Sequence, residues 1–257
     1  MILIEKYTKL KDGNYKLKLN NNQELKLHED LILKYNLLLT KKLDDNLINI
    51  LYEEQKVYDI YNIALKYIKI RIRSVKEIEN YLLKKQYDTK LITEAIEILK
   101  RQGYLNNENY AKAYIHDKIY LSNSGPIKIM EELRKNGIDE QIINKCIEEF
   151  NTELEKERIT KLISKQVKNN RNKSSMMLKR KIESNLISLG YHKSLITEVL
   201  SKTATDDIEI YKKEYGKIYK KLSKKYSGKE LEYKINQKLY QKGFKKQDDF
   251  YYWLKDN

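Results

Sequence analysis

The stretch Ile129-Met130-Glu131-Glu132-Leu133-Arg134-Lys135-Asn136-Gly137-Ile138 decides how this 257-residue chain folds, because its pattern occurs four times. Each copy has an isoleucine, a leucine four residues later, and a bulky residue five positions after that leucine. The copies begin at Ile78, Ile129, Ile182 and Ile235, at spacings of 51, 53 and 53 residues. Self-similarity at a nearly fixed period predicts a tandem array built from one supersecondary unit.

The repeated phrase is typical of a helix that ends in a left-handed turn. An isoleucine and a leucine four residues apart lie on one helix face. Gly137, Gly190 and Gly243 follow, and glycine enters the left-handed conformation without steric cost. In the resulting Schellman motif, the residue after the glycine packs against the leucine. The first copy has Gln86 instead of glycine, which costs roughly 1 kcal/mol if the same geometry is kept.

The residues after each stop predict a further helix in the first three units. Asp88 and Asp139 are placed to cap it, because a short acceptor side chain satisfies the free amides of a first turn. His192 takes that position in the third copy. Apolar residues then return with helical spacing, at Ile92, Ile96, Leu99, Ile143, Ile147, Phe150, Ile196, Val199 and Leu200. About fifty residues per unit accommodate roughly three short helices.

The first thirty residues predict strands. Asp12-Gly13 is a hairpin-turn signal, and the stretches 15–19 and 25–27 alternate apolar and polar residues with period two. Three strands alone are marginally stable. We therefore expect a three-stranded antiparallel meander whose apolar face packs on a nearby helix. A linking helix is predicted near Asp44–Leu51, and helical periodicity continues beyond it.

Together these patterns predict a mainly α fold, an elongated and curved tandem array of three-helix repeats with a small N-terminal three-stranded antiparallel β meander. The predicted divisions are 1–50 for the meander and linking helices, then 51–107, 108–152, 153–203 and 204–257 for repeats 1 to 4. The fourth repeat is degenerate after its glycine. It ends in Phe250, Trp253 and Leu254, as expected of a terminal capping unit.

The composition argues against several classes of protein. The sequence has no run of eighteen apolar residues, so we expect no membrane span. It has no basic stretch followed by an apolar leader, so we expect no secretory signal. Cys146, the single cysteine, falls on an apolar face, which indicates a buried side chain in a reducing compartment. His28, His116 and His192 lack the spacing of metal ligands. Phosphate-binding glycine loops, nucleophile elbows and zinc-protease motifs are also lacking, so we expect no enzyme, metal or cofactor.

The net charge of +15 is distributed unevenly along the chain. Residues 151–181 hold ten Lys and Arg against three Glu, and residues 212–246 hold thirteen against three. The positive excess therefore belongs to the third and fourth repeats, where it would attract polyanions and accelerate encounter with them. Two alternatives stay open. The first is that the lysine excess reflects base composition, because Lys, Asn, Ile and Tyr are all abundant here and all have A/T-rich codons. The second is that the charged face is merely solvated.

Seven of the fifty-two basic residues are arginines, and an arginine kept in a lysine-rich chain is a candidate for bidentate or stacking contacts. Ser74-x-x-Glu77 is a capping box, so a helix is predicted to begin at Ser74, directly after two of these arginines. The candidate partner-binding residues are Arg71, Arg73, Arg101, Arg134, Lys135, Arg180 and Lys181. The twenty-two tyrosines include candidates for stacking on bases, although several occupy core positions of the repeats.

Three polar signatures resemble the bacterial regulatory protein family RecX. They are Ala64-Leu65-x-Tyr67-x-x-x-Arg71-x-Arg73-Ser74-x-x-Glu77-Ile78, Gly103-Tyr104-Leu105-Asn106 with Tyr110-Ala111, and Glu132-Leu133-Arg134-x-x-Gly137-Ile138. The resemblance is specific over residues 60–150 and looser over 151–257. Three positions depart from it: Asn107 and Asn109 stand where acidic and basic residues are common, and Tyr110 replaces the usual phenylalanine.

This resemblance implies a cytoplasmic, monomeric modulator of the RecA recombinase that acts in DNA repair, homologous recombination and the SOS response. Family members are helical repeats that bind in the groove of the RecA–DNA filament and inhibit its growth, ATPase and strand exchange, and some bind DNA. An elongated array offers a long surface suited to such a polymer. The alternative hypothesis is a basic helical-repeat protein that binds single- or double-stranded DNA directly, without the recombinase.

Overall fold

A computed structural model describes residues 2–169, 174–203 and 208–244 of the chain. Its strands are β1 (Ile2–Lys9), β2 (Asn14–Leu19), β3 (Glu24–His28) and β4 (Lys42–Leu43). Its helices are α1 (Glu29–Lys34), α2 (Asp45–Ile68), α3 (Val75–Lys84), α4 (Thr89–Arg101), α5 (Asn107–Leu121), α6 (Pro126–Lys135), α7 (Glu140–Ile147), α8 (Thr152–Asn169), α9 (Ser175–Ser188), α10 (Lys193–Lys202), α11 (Ile208–Leu222) and α12 (Gly228–Gln241). The mainly α fold with a small N-terminal sheet is confirmed.

The N-terminal sheet is antiparallel, with strand order β3-β2-β1-β4. The meander is as predicted, but a fourth strand of two residues pairs Leu43 with Ile2 and Lys42 with Leu3. Two residues are too few to show an alternating pattern, so the sequence did not reveal this strand. One face of the sheet packs on helices α1 and α2 in a single core that includes Leu17, Leu19, Leu25, Leu27, Leu31, Ile48 and Leu51.

A buried polar network joins the sheet to α2. The His28 backbone N–H donates to Gln55 Oε1 at 2.7 Å, and Gln55 Nε2 donates to Asn14 Oδ1 at 3.3 Å. The His28 ring stacks on Tyr58, with centroids 4.4 Å apart. A buried polar group is costly unless it is hydrogen-bonded, so these contacts specify how α2 lies on the sheet.

Helix α2 joins the predicted linking helix to the first repeat without a break. Asp44 caps it, because the Asp44 carboxylate accepts from the Leu47 N–H at 2.7 Å. No glycine or proline occurs between Asp45 and Ile68, so nothing interrupts the 24-residue helix. Its first half packs on the sheet, whereas Val57, Ile60 and Ala64 belong to the core that α3 and α4 complete.

The four predicted helix stops have the same backbone geometry, at the ends of α3, α6, α9 and α12. The residue after each stop donates its N–H to the leucine five positions earlier, over 3.4, 3.1, 3.1 and 3.0 Å along the chain. The residue at the stop donates to the carbonyl three positions earlier, as a Schellman motif requires. Its φ is positive in all four copies: Gln86 63°, Gly137 75°, Gly190 87° and Gly243 79°.

Each glycine turn also contacts the first turn of the equivalent helix in the preceding repeat, and we call this contact the seam. Between repeats 1 and 2, Ser74 Oγ donates to the Asn136 carbonyl at 2.8 Å. Between repeats 2 and 3, the Gly125 N–H donates to the Leu189 carbonyl at 2.7 Å. Between repeats 3 and 4, Ser174 Oγ donates to the Lys242 carbonyl at 2.8 Å. The carbonyl acceptor is in every case the residue before the glycine.

The seams explain why the first copy tolerates Gln86. A Cβ at Gly190 would lie 2.4 Å from Lys128 N, and one at Gly243 would lie 2.6 Å from Met177 Cγ. Repeat 1 has no preceding repeat, and Gln86 is exposed. Its side chain therefore meets no seam, and the left-handed backbone is the remaining cost.

The chain divides into two compact units. One comprises the residues up to Tyr114 with Leu133–Cys146, and the other comprises Ile115–Glu132 with the residues from Ile147 onward. Repeats 1 to 3 each contain three helices, α2–α4, α5–α7 and α8–α10. Repeat 4 is described through α11 and α12, and the predicted capping residues Phe250, Trp253 and Leu254 lie outside the described residues.

Candidate partner-binding surfaces

Two of the predicted arginines meet at one carboxylate where α2 connects to α3. Arg71 Nη2 lies 2.5 Å and Arg73 Nη1 3.4 Å from Glu77 Oε1. The predicted capping box is present: Ser74 Oγ accepts from the Glu77 N–H, and Glu77 Oε2 accepts from the Ser74 N–H at 3.0 Å. Burial favours the neutral acid, but the Ser74 N–H and the Arg71 guanidinium outweigh burial and lower the pKa of Glu77.

The two arginines differ in what they can offer a partner. The Arg73 side chain is 10% exposed, and its guanidinium stacks 3.9 Å from the Tyr67 ring centroid. The Arg71 side chain is 51% exposed. Arg73 thus serves mainly to shape the connection, whereas Arg71 retains N–H groups that solvent or a partner can reach.

Beside these arginines lies an apolar pair that sequence reasoning missed. Ile70 and Ile72 alternate with Arg71 and Arg73, and both isoleucines are exposed. They fit neither the 3.6-residue period of a helix face nor the phrase shared by the repeats. A signal was nevertheless present: two β-branched residues alternate with cations in the stretch between two predicted helices.

Arg101 is exposed in the last turn of α4, and Gly103, two residues after the helix ends, has φ 78°. Near this end lies a cleft of about 740 Å³. It is lined by His28, Asp30, Tyr61, Lys66, Lys69, Gln102 and Tyr104, together with Lys11, Asp12, Gly13, Glu29, Asn62 and Leu65. Gln102 links its walls, since its amide oxygen accepts from Tyr61 Oη at 2.6 Å and its Nε2 donates to Asp30 at 3.2 Å. Burial raises the pKa of Tyr61 to about 12, so the phenol stays protonated.

Arg134 and Lys135 occupy the last turn of α6. Arg134 binds Glu140 in a bidentate pair, with Nε–Oε2 at 2.8 Å and Nη2–Oε1 at 2.6 Å. Lys135 is exposed. Two departures from the family pattern have local uses here: the Asn136 amide donates to Tyr110 Oη at 2.9 Å, and Asn107 Oδ1 accepts from the Val75 N–H at 3.1 Å.

Arg180 and Lys181 are exposed on α9 in repeat 3. They line a cleft of about 730 Å³ together with Ser174, Met177, Glu214, Gln241, Lys242 and Phe244. Glu214 is paired with Lys217 at 2.6 Å and with Lys242 at 2.5 Å. Hydrogen bonds from these two ammonium groups lower the pKa of Glu214, so it remains ionised at neutral pH.

The positive excess of repeat 4 persists within its described helices and their connection. Residues 208–244 contain eleven lysines and four glutamates. Tyr233 and Tyr240 lie on the side of α12 away from the buried Ile235 and Leu239, and both are largely exposed. Cations and exposed aromatic rings are the two components of surfaces that bind single-stranded nucleic acid.

Two further polar residues of the second unit have structural roles that the sequence did not disclose. Arg158 in α8 donates to the carbonyls of Ile119 and Ser122, the latter at 2.6 Å, and so caps the end of α5. Buried Glu155 accepts from the His192 backbone N–H at 2.8 Å and contacts His192 Nδ1 at 2.9 Å. A distant carboxylate therefore caps α10, rather than the His192 side chain that the sequence placed there.

The described residues offer neither a metal site nor a membrane span. No group of three or more His, Cys, Asp or Glu side chains in residues 2–169, 174–203 and 208–244 could hold a metal ion. Within the same ranges, no helix combines the length and apolarity needed to cross a membrane. Three-helix repeats with exposed cations on several of them define the class of the molecule as a helical-repeat protein.

Comparison with known proteins identifies the family. Residues 61–99 match the first three-helix domain of RecX, and residues 106–147 match the second. The regulatory protein RecX of Listeria monocytogenes serotype 4a is 30% identical over 196 residues, which cover 76% of this chain and 72% of the relative. The chain belongs to the RecX family of regulatory proteins, as the resemblance predicted.

Other relatives and solved structures agree. The regulatory protein RecX of Oceanobacillus iheyensis is 30% identical over 179 residues, 70% of this chain and 66% of the relative. A crystal structure of RecX from Lactobacillus salivarius superposes with a TM-score of 0.54 at 26% identity, covering 57% of this chain and 96% of that one. Another crystal structure, of a regulatory protein RecX, gives a TM-score of 0.68 at 22% identity over 77% of this chain and 98% of that one, a likeness of fold.

Proposed function

We propose that this protein is a non-enzymatic regulator of the RecA recombinase. In this proposal it acts in the cytoplasm as a monomer, binds in the groove of the RecA–DNA filament, and inhibits filament growth, ATPase and strand exchange. Membership of the RecX family of regulatory proteins supports the general role.

The observation that carries the finer proposal is the recurrence of exposed cations on successive repeats. Arg71 and Arg101 are exposed on repeat 1, Lys135 on repeat 2, and Arg180 on repeat 3. A filament repeats its own surface, so several weak contacts to neighbouring subunits can form at once. Once one contact has formed, the others become intramolecular and add through effective concentration.

The test is a titration of the protein into a RecA-type recombinase on single-stranded DNA, with ATPase, filament growth and strand exchange measured in parallel. We expect all three to fall at protein concentrations below that of the recombinase, because each bound molecule would block several subunits. Unchanged ATPase and strand exchange at stoichiometric protein would falsify the proposed function.

A second candidate function is direct binding of DNA, and the cationic, tyrosine-bearing surface of repeat 4 favours it. This function predicts that the logarithm of affinity for bare single-stranded DNA falls steeply with the logarithm of salt concentration. A competition between bare single-stranded DNA and nucleotide-bound recombinase filaments separates the two candidates. Preference for filaments supports the regulator, and preference for bare DNA supports the alternative.

A further inference from the structure

The connection between α2 and α3 exposes an apolar pair within a cationic segment. The segment reads Lys69-Ile70-Arg71-Ile72-Arg73, and the two isoleucines are 75% and 54% exposed. A single exposed apolar side chain is normal on a protein surface. Here two exposed β-branched residues lie on one short segment, which is held by the arginine pairs with Glu77 and by the capping box. Chance explains this less easily.

The cause of their exposure is the pairing of the arginines. Because Arg71 and Arg73 both turn towards Glu77, the isoleucines between and beside them face solvent. Both arginines of the connection thus make internal contacts while both isoleucines lie outside, the reverse of the usual arrangement.

The segment is held in place before any partner arrives. The Arg71 guanidinium donates to the Ile72 carbonyl at 3.0 Å, and the capping box fixes Ser74 at the start of α3. Ser74 Oγ also donates to Asn136 across the seam. A preorganised segment loses little conformational freedom on binding, so its apolar contacts contribute more fully to affinity.

The chemistry of the segment selects a protein partner over a nucleic acid. Single-stranded nucleic acids bind through base stacking on aromatic rings, and an isoleucine side chain has no π face. Two isoleucines instead fit an apolar depression on a protein, while exposed Lys66, Lys69 and Arg71 around them fit carboxylates at its rim. This pattern is complementary to an apolar patch bordered by acidic residues.

We infer that Ile70 and Ile72 are apolar anchors that dock this protein onto a recombinase subunit at an apolar patch bordered by carboxylates. The inference rests on the proposed function and specifies the contact through which repeat 1 would engage the filament. Arg71 and Lys69 orient the segment and steer the encounter, and the isoleucines slow dissociation.

The test compares the full-length protein with the double variant Ile70→Ser, Ile72→Ser in the recombinase ATPase titration. The matched control is Ile50→Ser, Ile187→Ser, which removes two partly exposed isoleucines from other surfaces. We expect the half-inhibitory concentration to rise about tenfold or more in the first variant, because buried apolar anchors carry much of the binding energy of an interface. In the control it should stay unchanged. Melting temperatures of both variants are measured to exclude unfolding.

Each outcome is decisive. A wild-type protein that leaves the ATPase unchanged overturns the proposed function, and the inference with it. A wild-type protein that inhibits, together with a folded double variant of equal potency, overturns only the inference. In a parallel measurement with bare single-stranded DNA we expect equal affinity for wild type and double variant; a loss of DNA affinity in the variant would mean that the segment contacts nucleic acid, and would overturn the protein-partner assignment.

Discussion

At the scale of single residues, the arginines of this lysine-rich chain make contacts that depend on the planar guanidinium group. Arg73 stacks on Tyr67, Arg134 grips Glu140 with two nitrogens, and Arg158 donates to two carbonyls. A lysine has one compact ammonium group and could not reproduce these planar, forked contacts. The sequence identified arginine as the informative residue type but could not say which arginines face inward, because their partners are distant or lie in another helix.

Glu77 provides a prediction about pH. Its pKa is lowered from the ordinary 4.5, so below that pH the unfolded chain binds more protons than the folded one at this site. Its contribution to stability is therefore fully present above pH 4.5 and is lost as the pH falls through the lowered pKa. We expect Glu77→Gln to be less stable than wild type by about 1–3 kcal/mol at pH 7, and the difference to shrink towards pH 3.

Urea denaturation at a series of pH values measures this difference. Other carboxylates with lowered pKa values contribute equally to both proteins, so the difference isolates Glu77. Glu79→Gln, an exposed change on the same helix, is the control and should remain close to wild type throughout. A constant gap between wild type and Glu77→Gln from pH 7 to pH 3 would contradict the expectation.

At the scale of the secondary-structure element, the helix stops were predictable and the seams were not. The Ile-x-x-x-Leu-x-x-x-Gly phrase contains every residue that a Schellman turn requires, so the turn followed from local sequence. The seam joins residues about sixty positions apart, such as Ser74 and Asn136, and no local pattern encodes such a contact. Glycine at the stop thus has two causes, the positive φ and the lack of space for a Cβ at the seam. Only the first could be inferred from the sequence.

The two causes can be separated by substitution. Gly103→Ala tests the positive φ alone, because nothing lies within 4 Å of the added Cβ, and we expect a loss of about 1–2 kcal/mol. Gly190→Ala adds a 2.4 Å approach to Lys128 N, so its loss of unfolding free energy should be clearly larger. Gln86→Gly should change stability by less than about 1 kcal/mol, since relief of strain is offset by unfolded-chain entropy. Equal losses for the two alanine variants would disprove the seam explanation.

At the scale of the whole molecule, the sequence predicted the class of fold, the repeat period, the family and the segregation of charge. It missed the strand β4 and the clefts, since these depend on residues that meet only after folding. It also missed the exposed pair Ile70 and Ile72, because reasoning from periodicity places apolar residues inside. The seven candidate binding residues remain a prediction, and the structure distributes them over α4, α6, α9 and the α2–α3 connection.

The charge asymmetry yields a prediction about kinetics. Arg180→Glu with Lys181→Glu should slow association with a fluorescent single-stranded oligonucleotide, and more strongly at low salt than at high salt, because counterions screen long-range attraction. Stopped-flow association rates measured over a salt series test this. Lys84→Glu with Lys85→Glu, an adjacent exposed pair at the C-terminal end of α3, is the control for an equal change of net charge. Equal slowing at low and high salt would show that the patch does not steer.

The seam has a direction, and this direction bears on how such a chain could lengthen during evolution. A duplicated repeat inserted after an existing one would place its own glycine turn against the first turn of the equivalent helix in the repeat before it. A repeat placed ahead of the first would meet Gln86, whose side chain occupies the space that a new neighbour requires. We expect a repeat added ahead of the first to require glycine at position 86, as the three existing contacts of this kind have at positions 137, 190 and 243.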